Sequence, residues 1–291
     1  LAFINAILRS PRLPPLDPWL SGFSISYYHF GYIMVAMLAK ISRTPGSIAF
    51  NLALATVFAL AAIGSYGILY TLLERRKGPG QKPATRNHLK ALLAPFFLLI
   101  VSNLEVVFHW MHNQGWFWRI QPDGTQVSAF WQWLAFDRLM SSPPTPTVPL
   151  DGQFWWWWQA SRVVQDFNMQ GRDFYVIDEF PTFSFILGDL HPHILAIPFV
   201  LLAIAFVLNF IFSKDSHQIK VWRWNLELSW ETWIAASMII GALTFLNTWD
   251  FPLYVALFCG AYLVKRMIAG ERSWQKLSWE FILLGFLTGV A

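Results

Sequence analysis

The chain has 291 residues, of which 55% are hydrophobic, 18% aromatic and only 13% charged, and its formal net charge is +4. Soluble domains carry about 25% charged residues, so this composition excludes an ordinary soluble protein and favours a membrane protein. The basic residues lie in three short stretches between apolar runs, as topology signals do, which argues against a nucleic-acid-binding surface. The single cysteine, Cys259, excludes an internal disulfide.

The first 46 residues contain no apolar run long enough to cross a membrane. Prolines at positions 11, 14, 15 and 18 interrupt any helix there, and the apolar run over residues 32–39 is too short to span. We therefore expect residues 1–46 to form an external loop that contains an interfacial helix.

The clearest membrane span covers residues 48–73, an uncharged run long enough to cross about 30 Å of hydrocarbon at about 1.5 Å per residue. Residues 74–90 follow, with six basic residues and one acid, and this bias predicts a cytoplasmic loop. The next span, residues 89–107, then points outward. On this span Glu105 and His109 are four residues apart, so we expect their side chains to meet in a structural hydrogen bond.

Residues 109–190 are predicted to form a large external loop, because they contain no continuous apolar segment and are too long for an ordinary connection. Four consecutive tryptophans occupy positions 155–158. Such a run is typical of a membrane boundary or of a surface against an apolar ligand.

Three further membrane segments complete the predicted topology. Residues 192–212 form a span with a kink at Pro198, and residues 232–264 form two helices that meet at residues 247–252, one kinked span being the alternative. A last outward span begins at residue 278. Because the sequence opens and closes within apolar residues, we expect a fragment of a longer multi-pass protein of the cell membrane, with residues 1–291 forming one membrane domain.

Polar segments that carry reactive side chains fall on one side of this topology, the external face. They are centred on Asp17, on Asp178 with Glu179, on residues 189–193, and on residues 247–250. Ionisable groups beside membrane helices are costly and tend to mark function. The shared side therefore predicts a single functional site.

Asp189, His191 and His193 are the candidate metal ligands, because a carboxylate and two imidazoles are suitable donors for a divalent metal ion. Two other interpretations stay open. The helix that begins at Pro192 could attract a phosphate or another anion at its amino terminus. Asp189 could also simply cap that helix, with the histidines in local hydrogen bonds.

Asp178, Glu179 and Asp17 are the candidate catalytic acids. Asp178 and Glu179 are adjacent carboxylates that could hold a divalent ion or supply a base, although neighbouring acids in a loop often have no such role. Asp17 lies between prolines 15 and 18, in a rigid setting that would hold its carboxylate in one direction. An aspartate beside proline is equally typical of a turn.

Two further segments are candidate contacts for a substrate. The first interrupts an apolar stretch, where irregular backbone survives only when it is buried in protein or lines a cavity; a tight turn is the alternative. The second is a short aromatic segment that would otherwise anchor the chain at the membrane boundary. The residues are Asn247, Trp249 and Asp250 in the first segment, and Tyr27, Tyr28, His29 and Tyr32 in the second.

A family resemblance joins these segments. The string YYHFGY at residues 27–32, which follows DPW at residues 17–19, resembles the uncharacterised bacterial and archaeal membrane proteins named for a tyrosine-rich YYY motif. Further parts of that pattern are EFP at 179–181, GDLHPH at 188–193 and NTWDFP at 247–252. The third position of the motif is His29 here, where the family has a third tyrosine.

That family is similar to the GT-C glycosyltransferases, and the resemblance implies an all-α, polytopic, GT-C-like fold whose external loops contain short interfacial helices. It also implies transfer of a sugar from a polyprenyl-phosphate donor at the external membrane face. Asp17 then becomes the base or a metal-associated acid, with Arg12 or a helix end at the lipid phosphate and Asp189, His191 and His193 at a metal or phosphate. The aromatic side chains of both loops would stack on sugar or polyprenyl.

The expected partners are therefore membrane lipid and a polyprenyl-phosphate sugar, the expected cofactor is a divalent metal ion, and no nucleic acid is expected. A transporter or lipid-binding protein is the first alternative, because discontinuous membrane helices build substrate sites near the midplane. A structural subunit of a membrane assembly is the second.

Overall fold

The structure is a computed structural model that describes residues 1–75, 85–143, 156–213, 217–221 and 224–290. The chain divides into two compact units, the first formed by Leu1–Ala94 with Leu190–Ala291 and the second by Pro95–Asp189. Residues 76–84, which make up most of the predicted basic loop, lie outside the described residues, and so does Trp155.

In the described residues, the first unit contains eight helices and one small hairpin, with non-helical chain over residues 10–29. Its helices are α1 (Ala2–Arg9), α2 (Phe30–Ser42), α3 (Gly46–Arg75) and α4 (Thr85–Ala91), and after the second unit α10 (Pro192–Phe212), α11 (Trp230–Leu246), α12 (Asp250–Ile268) and α13 (Trp274–Val290). The hairpin pairs strands β5 (Ile219–Val221) and β6 (Trp224–Leu226) in antiparallel register.

The second unit is entered through the short helix α5 (Leu93–Pro95) and consists of short elements. They are a π-helical turn (Phe96–Val101), helices α6 (Glu105–Asn113), α7 (Ala129–Leu134), α8 (Trp156–Ala160) and α9 (Pro181–Leu187), a 3-10 turn (Asp137–Leu139), and the hairpins β1 (Arg119–Ile120) with β2 (Gln126–Val127) and β3 (Gln165–Phe167) with β4 (Asp173–Tyr175).

Within the described residues, α3, α10 and α12 are long and apolar enough to cross a membrane. The segments Arg86–Val101 and Glu105–Asn113 pass the same test as a pair, but they meet at 72°. The predicted span over residues 89–107 is thus bent. At the bend, Ser102 has a φ of 35°, and its hydroxyl accepts a 3.0 Å hydrogen bond from the Thr182 N–H. The prediction of an all-α membrane protein is confirmed.

Helices α11 and α12 form an antiparallel hairpin in place of one kinked span. The Glu227 N–H, just before α11, donates a 3.1 Å hydrogen bond to the hydroxyl of Tyr262, near the end of α12. The two helices meet again at the turn, where Leu246 and Tyr254 belong to one apolar cluster. Residues 232–264 therefore form two helices, the preferred sequence interpretation.

Helices α3 and α10 lie side by side in the first unit and run in the same direction. Gly64 lies against Leu201, and further along the guanidinium of Arg75 lies 4.1 Å from the ring centroid of Phe212. The two helices thus end at the same level. Because α3 has 30 residues and α10 has 21, α3 extends about nine residues further at its amino end. This excess is about 14 Å of helix.

Basic side chains gather where α3 and α10 end, and we call this the basic end of the first unit. Lys265 donates hydrogen bonds to the Phe210 carbonyl at 3.2 Å and to Ser213 Oγ at 2.8 Å. The other members of the basic end are Arg75, Arg266, Arg272 and Lys276.

Arg266 is almost fully buried at the basic end and contacts three carboxylates. Its side chain pairs with Glu280 at 3.1 Å, with Glu271 at 3.3 Å and with Glu227. Lys276 donates a 2.8 Å hydrogen bond to Glu271 and, together with backbone N–H groups, lowers the pKa of Glu271 to about 2. Glu271 therefore stays ionised. The guanidinium of Arg266 connects α12 with Glu280 on α13 and with Glu227 before α11.

The close approach of α2 to α10 requires glycine at position 31. A Cβ atom there would lie 2.7 Å from Cδ1 and 3.0 Å from Cβ of the buried Leu195. We expect Gly31→Ala to lower the free energy of unfolding by about 1–3 kcal/mol, because overpacking forces neighbouring atoms to move. Denaturant unfolding in detergent micelles measures it.

Gly241→Ala is the matched control for this substitution. A Cβ atom at Gly241 meets nothing within 4 Å, so alanine should stabilise α11 by about 0.5–1 kcal/mol through backbone entropy. Equal stabilisation by both variants would show that the contact between α2 and α10 is looser than the structure has it.

Candidate functional site

Two of the predicted polar segments and the predicted aromatic segment lie at one end of the first unit, opposite the basic end. The start of α2 contacts the start of α10 through Gly31 and Leu195, and the Phe30 ring lies 6.0 Å from that of Phe245, near the end of α11. The residues next to these contacts are those of the motifs at 27–29, 191–193 and 247–250. We call this region the polar end.

The tyrosine segment forms an aromatic cluster on α1. Tyr27 stacks on Phe3 at 5.8 Å with ring planes 13° apart, and Tyr28 lies 5.5 Å from Tyr27. Tyr32 is only 7% exposed and packs on the same Phe3, which makes it a core residue. Tyr27 is 44% exposed, so its ring remains accessible to a substrate.

His29 directly precedes α2, and its side chain makes no capping hydrogen bond to that helix. Its Nδ1 lies 2.8 Å from the Tyr27 carbonyl, and the residue occupies the N-cap position of the helix. With Nδ1 held in this way, the imidazole is oriented by local backbone, whichever role it has.

Asp17 organises a tight turn. Its Oδ1 accepts hydrogen bonds from the N–H groups of Trp19 at 2.8 Å and Leu20 at 2.9 Å, an arrangement typical of aspartate in turns. The residue also lines a cavity of about 420 Å³ together with Arg9, Asn5 and Ser10. Its carboxylate is therefore held in a fixed direction, and Arg9 lines the same cavity.

Arg12 lines a different cavity from that of Asp17. Its cavity, also about 420 Å³, has Lys40 as a second basic residue and apolar residues from α1 and α2 along its walls. Arg12 and Asp17 are therefore not neighbours in one cavity, although the resemblance assigns both to the same reaction.

The acidic motif of residues 178–181 is followed by a short helix that ends in a glycine turn. Pro181 begins α9, and Gly188 ends it with a φ of 67°. The Gly188 N–H donates to the Phe185 carbonyl at 3.2 Å, and the Asp189 N–H donates to the carbonyl of the buried Ser184 at 2.8 Å. This pair of bonds is the Schellman arrangement, which reverses the chain after a helix. The turn fixes the position of Asp189.

Glu179, Asp189 and His191 form the candidate metal site on this continuous segment. One ligand atom from each lies within 4.8 Å of the other two. Glu179 is exposed, whereas Asp189 and His191 are partly buried. Asp189 and His191 belong to the metal set that the sequence predicted. His193 does not join this group, and its ring lies 5.8 Å from that of His191.

The donor set fits a divalent metal ion. Ligand atoms bound to one ion at about 2.1 Å lie at most about 4.2 Å apart, so small side-chain movements would bring the three donors into range. Two carboxylate oxygens suit hard ions such as Mn²⁺, and the imidazole nitrogen adds affinity for Zn²⁺. A cation here would lie directly before α10, the most apolar of the candidate membrane spans.

Asp178 does not belong to this group. Its N–H donates a 2.8 Å hydrogen bond to the Ser161 carbonyl, and its buried Oδ2 accepts no hydrogen bond from the described residues. Asp178 is thus placed by the loop after α8, whereas Glu179 joins the candidate metal site.

Arg162 is a candidate site residue that the sequence did not single out. Its Nη1 donates hydrogen bonds to the Trp158 carbonyl at 3.2 Å and to Ser161 Oγ at 2.7 Å, and its guanidinium lies 3.5 Å from the Trp158 ring centroid. Burial lowers the pKa of Arg162, although guanidinium remains charged at neutral pH. The sequence feature that could have indicated this contact is the spacing of four residues between Trp158 and Arg162.

Part of the tryptophan run packs beside the acidic motif. Trp157 lies 5.6 Å from Phe183, and Phe180 and Phe183 form a buried cluster with Ala160. The structure describes the backbone of Trp156 but not its side chain, and Trp155 is outside the described residues. Aromatic rings therefore cover one side of the segment that carries Glu179.

The segment at residues 247–250 is a turn between two helices. Asn247 Nδ2 donates a 3.1 Å hydrogen bond to Asp250 Oδ2, and the Asp250 N–H donates to the Asn247 carbonyl at 3.0 Å. Trp249 is 81% exposed. These contacts match the tight-turn alternative, and they leave Trp249 accessible at the polar end.

Comparisons with known proteins add one finding to this geometry. No curated protein and no solved structure matches the chain. The sequence model of the family described as "Uncharacterized membrane protein (DUF2298)" matches residues 1–287, and the chain therefore belongs to that family.

Proposed function

We propose that this protein is an integral membrane glycosyltransferase that uses a polyprenyl-phosphate sugar as donor, with a divalent cation held by Glu179, Asp189 and His191. The observation that supports it is the group of two carboxylates and one imidazole directly before an apolar membrane helix. A lipid phosphate would meet such a group at the boundary between hydrocarbon and water. The sugar chemistry itself rests on the family resemblance.

The reaction requires positive charge at the departing lipid phosphate and a base for the acceptor hydroxyl. Glu179, Asp189 and His191 would hold the cation, which would supply Lewis-acid stabilisation of the phosphate oxygens. Arg162 contributes a guanidinium on the same unit as Glu179, held in place by Trp158 and Ser161. Exposed aromatic rings such as Trp158 provide surfaces on which a sugar ring can stack.

Asp17 is the proposed base. Two backbone N–H groups fix its Oδ1, so the carboxylate keeps one orientation while its second oxygen takes the proton. The cavity that it lines with Arg9 offers space for a polar acceptor.

The experiment is donor consumption by purified protein in nanodiscs supplied with a radiolabelled polyprenyl-phosphate hexose. Asp17→Asn should lower turnover at least about 100-fold, because general bases contribute about 100- to 10,000-fold. Asparagine keeps the Oδ1 acceptor, so the turn should survive. Unchanged turnover would remove Asp17 as the base, and no consumption of any donor by wild-type protein would reject the proposed function.

Asp123→Asn is the matched control. Asp123 Oδ1 also accepts a hydrogen bond from a backbone N–H two residues ahead, at 2.9 Å from Thr125, and the residue is exposed. It belongs to none of the candidate segments. Its substitution should leave turnover within about twofold of wild type, as for surface changes away from functional features.

A transporter is the alternative to this proposal. That hypothesis depended on a discontinuous helix at residues 247–252, whereas the structure has a turn between two antiparallel helices. If the protein consumed no donor, a lipid-binding or structural role without catalysis would remain.

A further inference from the structure

A groove between α3 and α10 at the basic end is separate from every residue of the proposed function. It has a volume of about 310 Å³. Residues that define it are Gly64, Gly67, Thr71, Arg75, Leu208 and Phe212.

Two glycines on α3 shape this groove. At Gly64 the helices are close, since a Cβ atom would lie 3.1 Å from Leu201 Cδ1, whereas at Gly67 a Cβ atom would meet nothing within 4 Å. The space beside Gly67 is therefore open, and the apolar side chains of Ile63, Ile68 and Leu208 line it. The groove is thus mainly apolar along the helix pair, with Thr71 and Asn209 as polar side chains in its lining.

The groove carries a cation where it reaches the basic end. Arg75 lies 4.1 Å from the Phe212 ring centroid, a cation–π contact that holds the guanidinium at the last turn of both helices. In sequence, Arg76 and Lys77 follow directly. From Ile63 to Arg75 the groove covers about 18 Å of helix, close to the depth of one leaflet of a bilayer about 30 Å thick.

We propose that this groove binds an anionic phospholipid of the leaflet at the basic end, with its phosphate at Arg75 and one acyl chain beside Gly67. Basic pockets between membrane helices are suited to acidic lipid head groups. The charge of Arg75 complements the phosphate, and the mainly apolar groove matches the acyl chain in chemistry and in length.

The test is native mass spectrometry of purified, delipidated protein titrated with phosphatidylglycerol or with phosphatidylcholine of identical acyl chains. Wild-type protein should retain phosphatidylglycerol at least about fivefold more tightly, and Arg75→Gln should remove about fivefold of that preference, as expected for one basic residue near anionic lipid. Gly67→Leu, which fills the groove, should weaken binding of both lipids.

The controls are Arg272→Gln, which removes a cation at the same basic end outside the groove, and Gly241→Leu, which adds a side chain to an open position on α11. Both should bind phosphatidylglycerol like wild type. Equal affinity of wild type for the two lipids, or unchanged binding by Gly67→Leu, would overturn the proposal. A third result would also overturn it: wild-type protein retains no lipid, and Gly67→Leu is less stable than wild type. That result would indicate that another helix, and not a lipid, fills the groove.

Discussion

Asp189→Asn should weaken the binding of Mn²⁺ or Zn²⁺ at least about 100-fold. Substitution of groups that only support a metal ligand already costs about 10- to 100-fold, and Asp189 is proposed as a direct ligand. Its position between Glu179 and His191 is set by the backbone turn at Gly188, which an asparagine side chain leaves intact. Calorimetric titration of purified protein measures the affinity without requiring any enzymatic activity.

Neighbouring substitutions make this experiment selective. Glu179→Gln and His191→Gln should weaken metal binding to a similar degree, whereas Asp178→Asn and His193→Gln should change it by less than about tenfold, since neither residue belongs to the candidate metal site. A wild-type protein that binds neither ion would contradict the metal proposal. Equal losses for His193→Gln and His191→Gln would instead favour the ligand set expected from sequence.

Arg266→Leu should lower the free energy of unfolding by about 3–5 kcal/mol, the usual cost of removing one partner from a buried ion pair. Glu280 is only 1% exposed, so loss of the guanidinium leaves a buried carboxylate without its cation. Glu227 and Glu271 lose the same partner. Reversible denaturation in mixed micelles, followed by tryptophan fluorescence, measures the change.

Two further variants separate charge burial from general packing effects. Lys276→Met removes a half-exposed partner of Glu271 and should cost less than about 1 kcal/mol. The double variant Arg266→Leu with Glu280→Leu should recover part of the loss, because apolar side chains can replace a buried ion pair. A double variant that is less stable than Arg266→Leu alone would show that packing of the charged side chains dominates.

Long apolar runs allowed the membrane helices to be predicted closely. The run over residues 192–212 coincides with α10, and that over residues 48–73 falls short of α3 by two residues at each end. Amphipathic spacing also predicted the contact between Glu105 and His109, whose side chains lie 3.3 Å apart. These predictions depend on local periodicity, which a sequence displays directly.

The bend after residue 101 could not be predicted in the same way. It depends on Ser102 and Thr182, which are far apart in sequence but lie 2.7 Å from each other through their hydroxyl groups. Single hydroxyl residues carry no periodic signal. The segment therefore looked like an ordinary span until its distant partner was known.

The candidate metal site was only partly predictable for a related reason. The residue types and the motif around Asp189 and His191 indicated metal ligands, but spacing alone favoured His193 as the third. The chain reverses at Gly188 after α9, and in this arrangement Glu179, before α9, lies close to Asp189 and His191, after it. Arg162 was missed because its position depends on the fold of the loop after α8.

The unequal lengths of α3 and α10 give the first unit a step in depth. Both helices end together at the basic end, so His191, which directly precedes α10, lies about 14 Å nearer to that end than the first residue of α3 does. The hairpin of α2 and α3 that rises past them exposes apolar side chains, among them Ile41, Ile48 and Leu52. The apolar surface beside the tip of this hairpin therefore extends further from the basic end than the apolar surface beside α10. A lipid next to the hairpin tip and a lipid next to α10 meet these two different surfaces, and the polar end lies at the level where α10 begins.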